Sequence, residues 1–170
     1  LPKDYLPSAE SSLITGITPQ YCCAHGVPEP QFARNILREL SAPNTIGVGY
    51  NTIRFDDEVT RFTLWRNLFP PYKREFENGC SRWDLIDVVR CAYALRPEGI
   101  VWPTDEQTGK VSLRLEHLTV ANGLAHEQAH DALSDVRATI ALARLLQTTQ
   151  PRLFEFALKL RHKDAVKETI

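Results

Sequence analysis

The chain has 170 residues, 43% hydrophobic and 24% charged, and its 20 Lys and Arg face 21 Asp and Glu for a formal net charge of −1. That is enough apolar sequence for one globular domain with a core, while the balanced charge lacks the strongly basic footprint of a general nucleic-acid binder and leaves room only for a local basic groove. No run approaches the roughly 18 apolar residues that span a bilayer and no signal-peptide pattern opens the chain, so a soluble protein without membrane contact is expected.

Cys22, Cys23, Cys80 and Cys91 form no C-x-x-C pair, which disfavours a zinc ribbon or a disulfide framework and fits a reducing, cytoplasmic setting. The absence of Met and the start at Leu1-Pro2-Lys3 suggest a piece of a longer protein.

Residues 1–27 are rich in Pro, Ser and Gly; Leu13-Ile14-Thr15-Gly16-Ile17-Thr18 reads as a brief strand or turn, followed by a capped helical start from Thr18 to Cys23. From Glu29 to Leu40, Phe32, Ile36, Leu37 and Leu40 share one face of an amphipathic helix that Ser41-Ala42-Pro43 ends. The β-branched, Gly-containing run Thr45–Tyr50 reads as a buried strand. A helix then starts near Asp56, with Val59, Phe62, Leu64, Trp65 and Leu68 at helical spacing. After Pro70-Pro71, residues 72–82 are mixed in charge and ambiguous. Trp83–Leu95 predicts a long, largely buried helix stopped by Pro97 and Gly99, and residues 99–111 predict a surface loop. Ser112 is placed to cap a helix over 113–118 that Asn122-Gly123 ends. The last strong element runs from about Glu127 to Gln147, with Leu133, Val136, Ile140 and Ala143 on one face, and an amphipathic piece follows Pro151.

Chemistry concentrates in residues 49–61, where Asp56, Asp57 and Glu58 follow Phe55 directly after the expected strand. Acids at a helix start cap free N–H groups and complement the dipole, which accounts for one Asp. The order strand, Asn51, short loop, Phe55-Asp56, helix also places a carboxylate at a sheet edge beside a cleft, where it can hold a divalent metal.

A second group follows Asn122-Gly123. His126-Glu127-Gln128-Ala129-His130 matches the H-E-x-x-H zinc-peptidase pattern, with Glu155 downstream as a conceivable third ligand. The helix break three residues before His126 puts both imidazoles at a fraying start, which ranks this reading below its alternative. That alternative uses His130 and Asp135, spaced H-x-x-x-x-D across the start of the last strong helix, with the imidazole over a metal that the Asp binds. The plain account is a solvated His130, with Asp131 and Asp135 favoured by the helix dipole.

The stretches Gly49–Asn51, Arg54–Arg61, Ser81–Leu85, Tyr93–Ile100, Arg114–Leu118 and Ala129–Ala132 with Asp135 closely resemble the bacterial exonuclease I family of DEDDh 3′-to-5′ exonucleases. The resemblance covers nearly the whole chain, including Ile14–Gln20 and Gln150–Phe154. It implies an α/β, ribonuclease H-like fold, a mixed sheet flanked by helices. It also implies an enzyme that degrades single-stranded DNA from the 3′ end with two Mg2+ ions about 4 Å apart, Mn2+ being an alternative. By position it assigns Asp56 and Asp135 as metal ligands and His130 as general base, with Asp57, Glu58 and Asp131 as neighbours. The family's first motif, an Asp-x-Glu on the opening strand, has no counterpart in residues 1–20. An N-terminally truncated exonuclease domain over 1–150 is therefore expected, nearly inactive alone, with 151–170 as the helical start of a linker. Arg82, Trp83 and Arg114, and beside them Tyr93 and Arg96, are candidates to grip the strand, although Trp83 and Tyr93 suit a core better and the arginines also suit pairing with nearby acids. A monomer is expected, with a single-stranded DNA-binding protein as partner through domains outside this chain. The competing readings are a non-catalytic nucleic-acid-binding or interaction module on the same fold and the zinc peptidase.

Overall fold

The computed structural model describes residues 8–124 and 132–170. They fall into two compact units, residues 8–46 with Asp56–Cys80, and Gly47–Phe55 with residues 81–124 and 132–170.

The first unit is helical. The first half of the segment expected as strand or turn, residues 13–15, belongs to α1 (Ala9–Thr15), because local capping outweighs its β-branched residues. Ser8 accepts the Ser11 N–H at the start, and left-handed Gly16 returns its N–H to Ser12 at the end. Thr18 caps α2 (Pro19–His25) through the Tyr21 N–H, and α3 (Glu29–Leu40) has the predicted bounds. α3 packs on α4 (Asp56–Arg66). Glu29 ties the two together by accepting from Arg66 and from Asn67 Nδ2 at 2.8 Å. Burial pushes the Glu29 carboxyl upward, but these donors outweigh it and hold its pKa below the ordinary value. The stabilisation is present above the unfolded-state pKa and is lost as pH falls through the lowered one.

On α4 the buried residues are Asp57 and Leu64, whereas Val59, Phe62 and Trp65 are exposed. The spacing correctly predicted a helix, but its apolar set does not face this unit's core. Beyond α4, the ambiguous stretch contains two 3-10 turns, Lys73–Glu75 and Glu77–Gly79. Asn78 and Gly79 are left-handed, and the Asn78 carbonyl accepts the N–H of Asn44, itself at φ +64°. A Cβ on Gly79 would collide with the Asn44 side chain. Gly79→Ala is expected to destabilise by about 1–2 kcal/mol, read as a lower urea midpoint.

In the second unit, β1 (Ile46–Gly49) pairs with β2 (Ser81–Asp84) in a two-stranded sheet. β1 is half-buried with Val48 exposed, not fully buried as expected. β2 takes Trp83 and Asp84 out of the predicted helix, which starts later as α5 (Leu85–Leu95), capped by Asp84 and burying Leu85, Val88, Val89 and Ala92. α6 (Leu115–Ala121), α7 (Ala132–Thr149), α8 (Pro151–Lys159) and α9 (Lys163–Thr169) follow. α7 packs against α5, α6 and α8. Its buried row is Ala138, Leu142 and Leu146, while Leu133, Val136 and Ile140, expected in the core, are exposed. No helix among the described residues is long and apolar enough to cross a membrane.

Candidate active site

The chain leaves β1 through a turn that one buried carboxylate organises. Asn51 sits at φ +60°, a conformation Asn tolerates better than most residues. Asp84, 5% exposed, accepts the Asn51 N–H at 2.7 Å and the Ile53 N–H at 3.1 Å, and with the same side chain caps α5 through the Ile86 N–H at 3.2 Å. Beside it the Tyr50 hydroxyl donates to the Leu113 carbonyl. Burial pushes the Tyr50 phenol up, so it stays protonated and keeps that donor at neutral pH. Sequence reasoning gave Asp84 no role; its only local signal was a residue type suited to an N-cap.

Five residues later α4 begins with three acids whose environments differ. Asp57 is 6% exposed and accepts from Arg74 Nη2 at 2.7 Å; Arg74 is equally buried. Glu58 accepts from Arg61, which also forks onto Glu75 with two bonds of 2.7 Å and lies 4.9 Å from the Tyr72 ring centroid. The Glu75 hydrogen bonds raise the Arg61 pKa against the effect of burial, which fixes its positive charge. Asp56 is exposed and has no hydrogen-bond or ion-pair partner among the described residues. Of the three acids, it alone makes no contact with an arginine among the described residues.

Asp135 lies in the first turn of α7, also exposed, where its backbone carbonyl accepts from Thr139 Oγ1 at 2.8 Å. His130 and the whole His126–His130 pattern lie outside the described residues. Among the described residues, no three His, Cys, Asp or Glu side chains gather into a metal site. Asp56 in the first unit and Asp135 in the second are each a carboxylate, the hard oxygen donor type that Mg2+ takes one or two at a time with water completing its shell, so each fits that ion in type.

The residues expected to grip a strand differ in what they can offer. Trp83 is 8% exposed, its indole N–H donates to the Ala157 carbonyl at 3.2 Å, and its ring meets Phe154 edge-on at 5.0 Å. This corrects its assignment as a strand-gripping residue: little of the ring is open to a base, and the core alternative describes it. Arg82 is half-buried and already engaged. Arg114 is exposed at the start of α6. Ser112, expected as the cap of that helix, instead pairs with His117 Nδ1 at 2.8 Å, and Arg114 occupies the N-cap position.

A family model described as exonuclease matches residues 2–143. The chain belongs to the exonuclease family. Exodeoxyribonuclease I of Haemophilus influenzae is 53% identical to this exonuclease-family chain over 168 residues, 99% of the chain and 35% of that protein. The crystal structure of E. coli exonuclease I in complex with a dA16 oligonucleotide superposes with a TM-score of 0.89 at 51% identity, covering 98% of this chain and 35% of that one. A further structure, an ExoI/SSB-Ct complex, gives 0.90 at 50% identity over 98% of this chain and 36% of that one. The chain thus spans about a third of the length of these relatives, and its α/β, ribonuclease H-like fold is that of the exonuclease domain.

Proposed function

We propose that the protein to which this chain contributes is a 3′-to-5′ exonuclease that hydrolyses single-stranded DNA to nucleoside 5′-monophosphates with two divalent metal ions, in DNA repair or recombination. The carrying observation is the partition of the acids at the start of α4, where Asp57 and Glu58 are held by arginines and Asp56 alone is left exposed without a partner among the described residues. Its substrate follows the oligonucleotide-bound relative.

In this reading residues 1–150 are the exonuclease domain and 151–170 start the linker to a following domain. Asp56 and Asp135 hold Mg2+, and further carboxylates come from the longer protein. When bound, the metal supplies a Lewis acid that readies water for attack and offsets charge on the leaving 3′ oxygen. His130 takes the proton from the attacking water, a task suited to a side chain that titrates near neutrality. Exposed Arg114 meets backbone phosphates, whereas Trp83 acts through packing. A single-stranded DNA-binding protein is the proposed partner, following the ExoI/SSB-Ct relative.

The test uses the full-length protein and a single strand labelled at either end. Mononucleotide release from the 3′ end with Mg2+, abolished by EDTA, is the expected result. His130→Ala is expected to slow turnover about 10²–10⁴-fold with strand binding retained. Glu127→Gln should leave the rate unchanged; no nucleotide release, with tightly bound zinc and peptide hydrolysis that Glu127→Gln abolishes, would move the protein to the peptidase class. Strand binding without metal-dependent cleavage would favour a non-catalytic module.

A further inference from the structure

The acidic run at the start of α4 poses a selectivity problem. Asp56, Asp57 and Glu58 are consecutive hard-oxygen donors in one helical turn, and a divalent cation near them has no reason of its own to choose the first. Terminal turns also fray, so the direction of a side chain at the first helical position is weakly determined by the helix itself.

The Arg74–Asp57 pair addresses both difficulties. The two side chains are 5% and 9% exposed, and they meet across 17 residues of chain at 2.7 Å. A buried contact at the second helical position fixes the rotation of the first turn. Its predecessor then points about 100° away around the axis, and Asp56 is indeed exposed where Asp57 is buried. The pair leaves a polar atom unsatisfied, since Arg74 Nε is buried and has no hydrogen-bond partner among the described residues. Buried ion pairs are seldom better than well-packed apolar residues, and setting a geometry is their best-attested use. Arg61 completes the arrangement by holding Glu58 and Glu75.

We propose that Arg74 is a positioning residue for Asp56: by anchoring Asp57 in the interior it sets the first turn of α4 so that Asp56, and not its neighbours, is presented to the metal. This rests on the reading of Asp56 as a metal ligand given above.

The test measures Mn2+ affinity by electron paramagnetic resonance, and the urea midpoint, in the full-length protein and three variants. Asp56→Ala is the control for the site itself. The double variant Asp57→Asn/Arg74→Met removes both buried charges, keeps their volume and spares the fold an unpaired ion. Arg74→Lys keeps the positive charge but loses the planar guanidinium. A purely structural pair predicts that Mn2+ affinity tracks the urea midpoint. The positioning role predicts a near-normal midpoint in the double variant with Mn2+ affinity about 10–100-fold weaker, as for residues that orient metal ligands, and an intermediate loss for Arg74→Lys. Wild-type Mn2+ affinity in the double variant and in Arg74→Lys would overturn the proposal while leaving Asp56 as a ligand. Unchanged affinity in Asp56→Ala would overturn both.

Discussion

Full-length protein carrying Asp56→Ala is expected to lose at least about 10³-fold in the rate of 3′ nucleotide release, equivalent to about 4 kcal/mol of barrier, because part of the charge stabilisation at the reacting phosphate goes with the ligand. Its stability should stay within about 0.5 kcal/mol of the parent, since exposed side chains without partners seldom contribute more. The adjacent change should act first on stability, and on the rate only through a weaker presentation of Asp56. Asp57→Ala leaves the buried Arg74 guanidinium with only the longer 3.8 Å contact to Glu75 among the described residues, and its dominant effect is about 3–5 kcal/mol of stability. Urea denaturation beside single-turnover kinetics on the two variants would separate the roles of neighbouring acids. A large stability loss in Asp56→Ala, or an unchanged rate, would contradict the assignment.

Asp84→Ala is expected to give a structural effect of similar size. One carboxylate satisfies three backbone donors, at Asn51, Ile53 and Ile86. An alanine leaves those N–H groups without their acceptor at the ends of two elements. Hydrogen bonds to charged groups contribute about 1.5–3 kcal/mol each and do not add, so a total loss of about 3–5 kcal/mol is expected by urea denaturation. Asp84→Asn keeps the volume but turns an amide N–H towards one of the donors, so it should recover only part of the loss. If Asp84→Ala unfolded at the same urea concentration as the parent, the turn would have to be held by other contacts.

The sequence disclosed local features well and distant ones poorly. α3 and the start of α4 were legible because a Pro stop and an acidic first turn are encoded within a few residues of where they act. α1 was misread because its β-branched residues were weighted above the Ser8 and Gly16 caps. β2 was absorbed into α5, since four residues cannot establish a period and Asp84 serves both elements. On α4 and α7 the helix could be seen in the spacing but the choice of buried face could not. Both carry more than one apolar row, and only tertiary packing selects Leu64 on the first and Ala138, Leu142 and Leu146 on the second. At the site, the acids after Phe55 could be singled out from their setting, and Asp56 among them only through the family resemblance. The partners that set Asp56 apart could not be read: Arg74 reaches Asp57 from 17 residues away, inside a stretch whose mixed charges look like ordinary surface.

The Asp84 clamp also has a consequence for the order of events at the ribosome. The turn it closes is synthesised 31 to 33 residues before the carboxylate that closes it. The Asn51–Ile53 backbone therefore enters the exit tunnel with two N–H groups whose acceptor has not yet been made. Native geometry just upstream of Asp56 must wait for β2 and the first turn of α5, and bringing those distant partners together carries a loop-closure cost that local contacts cannot offset early. A ribosome stalled before residue 84 would carry the candidate metal ligand without its clamp, and one stalled well beyond residue 86 would carry both.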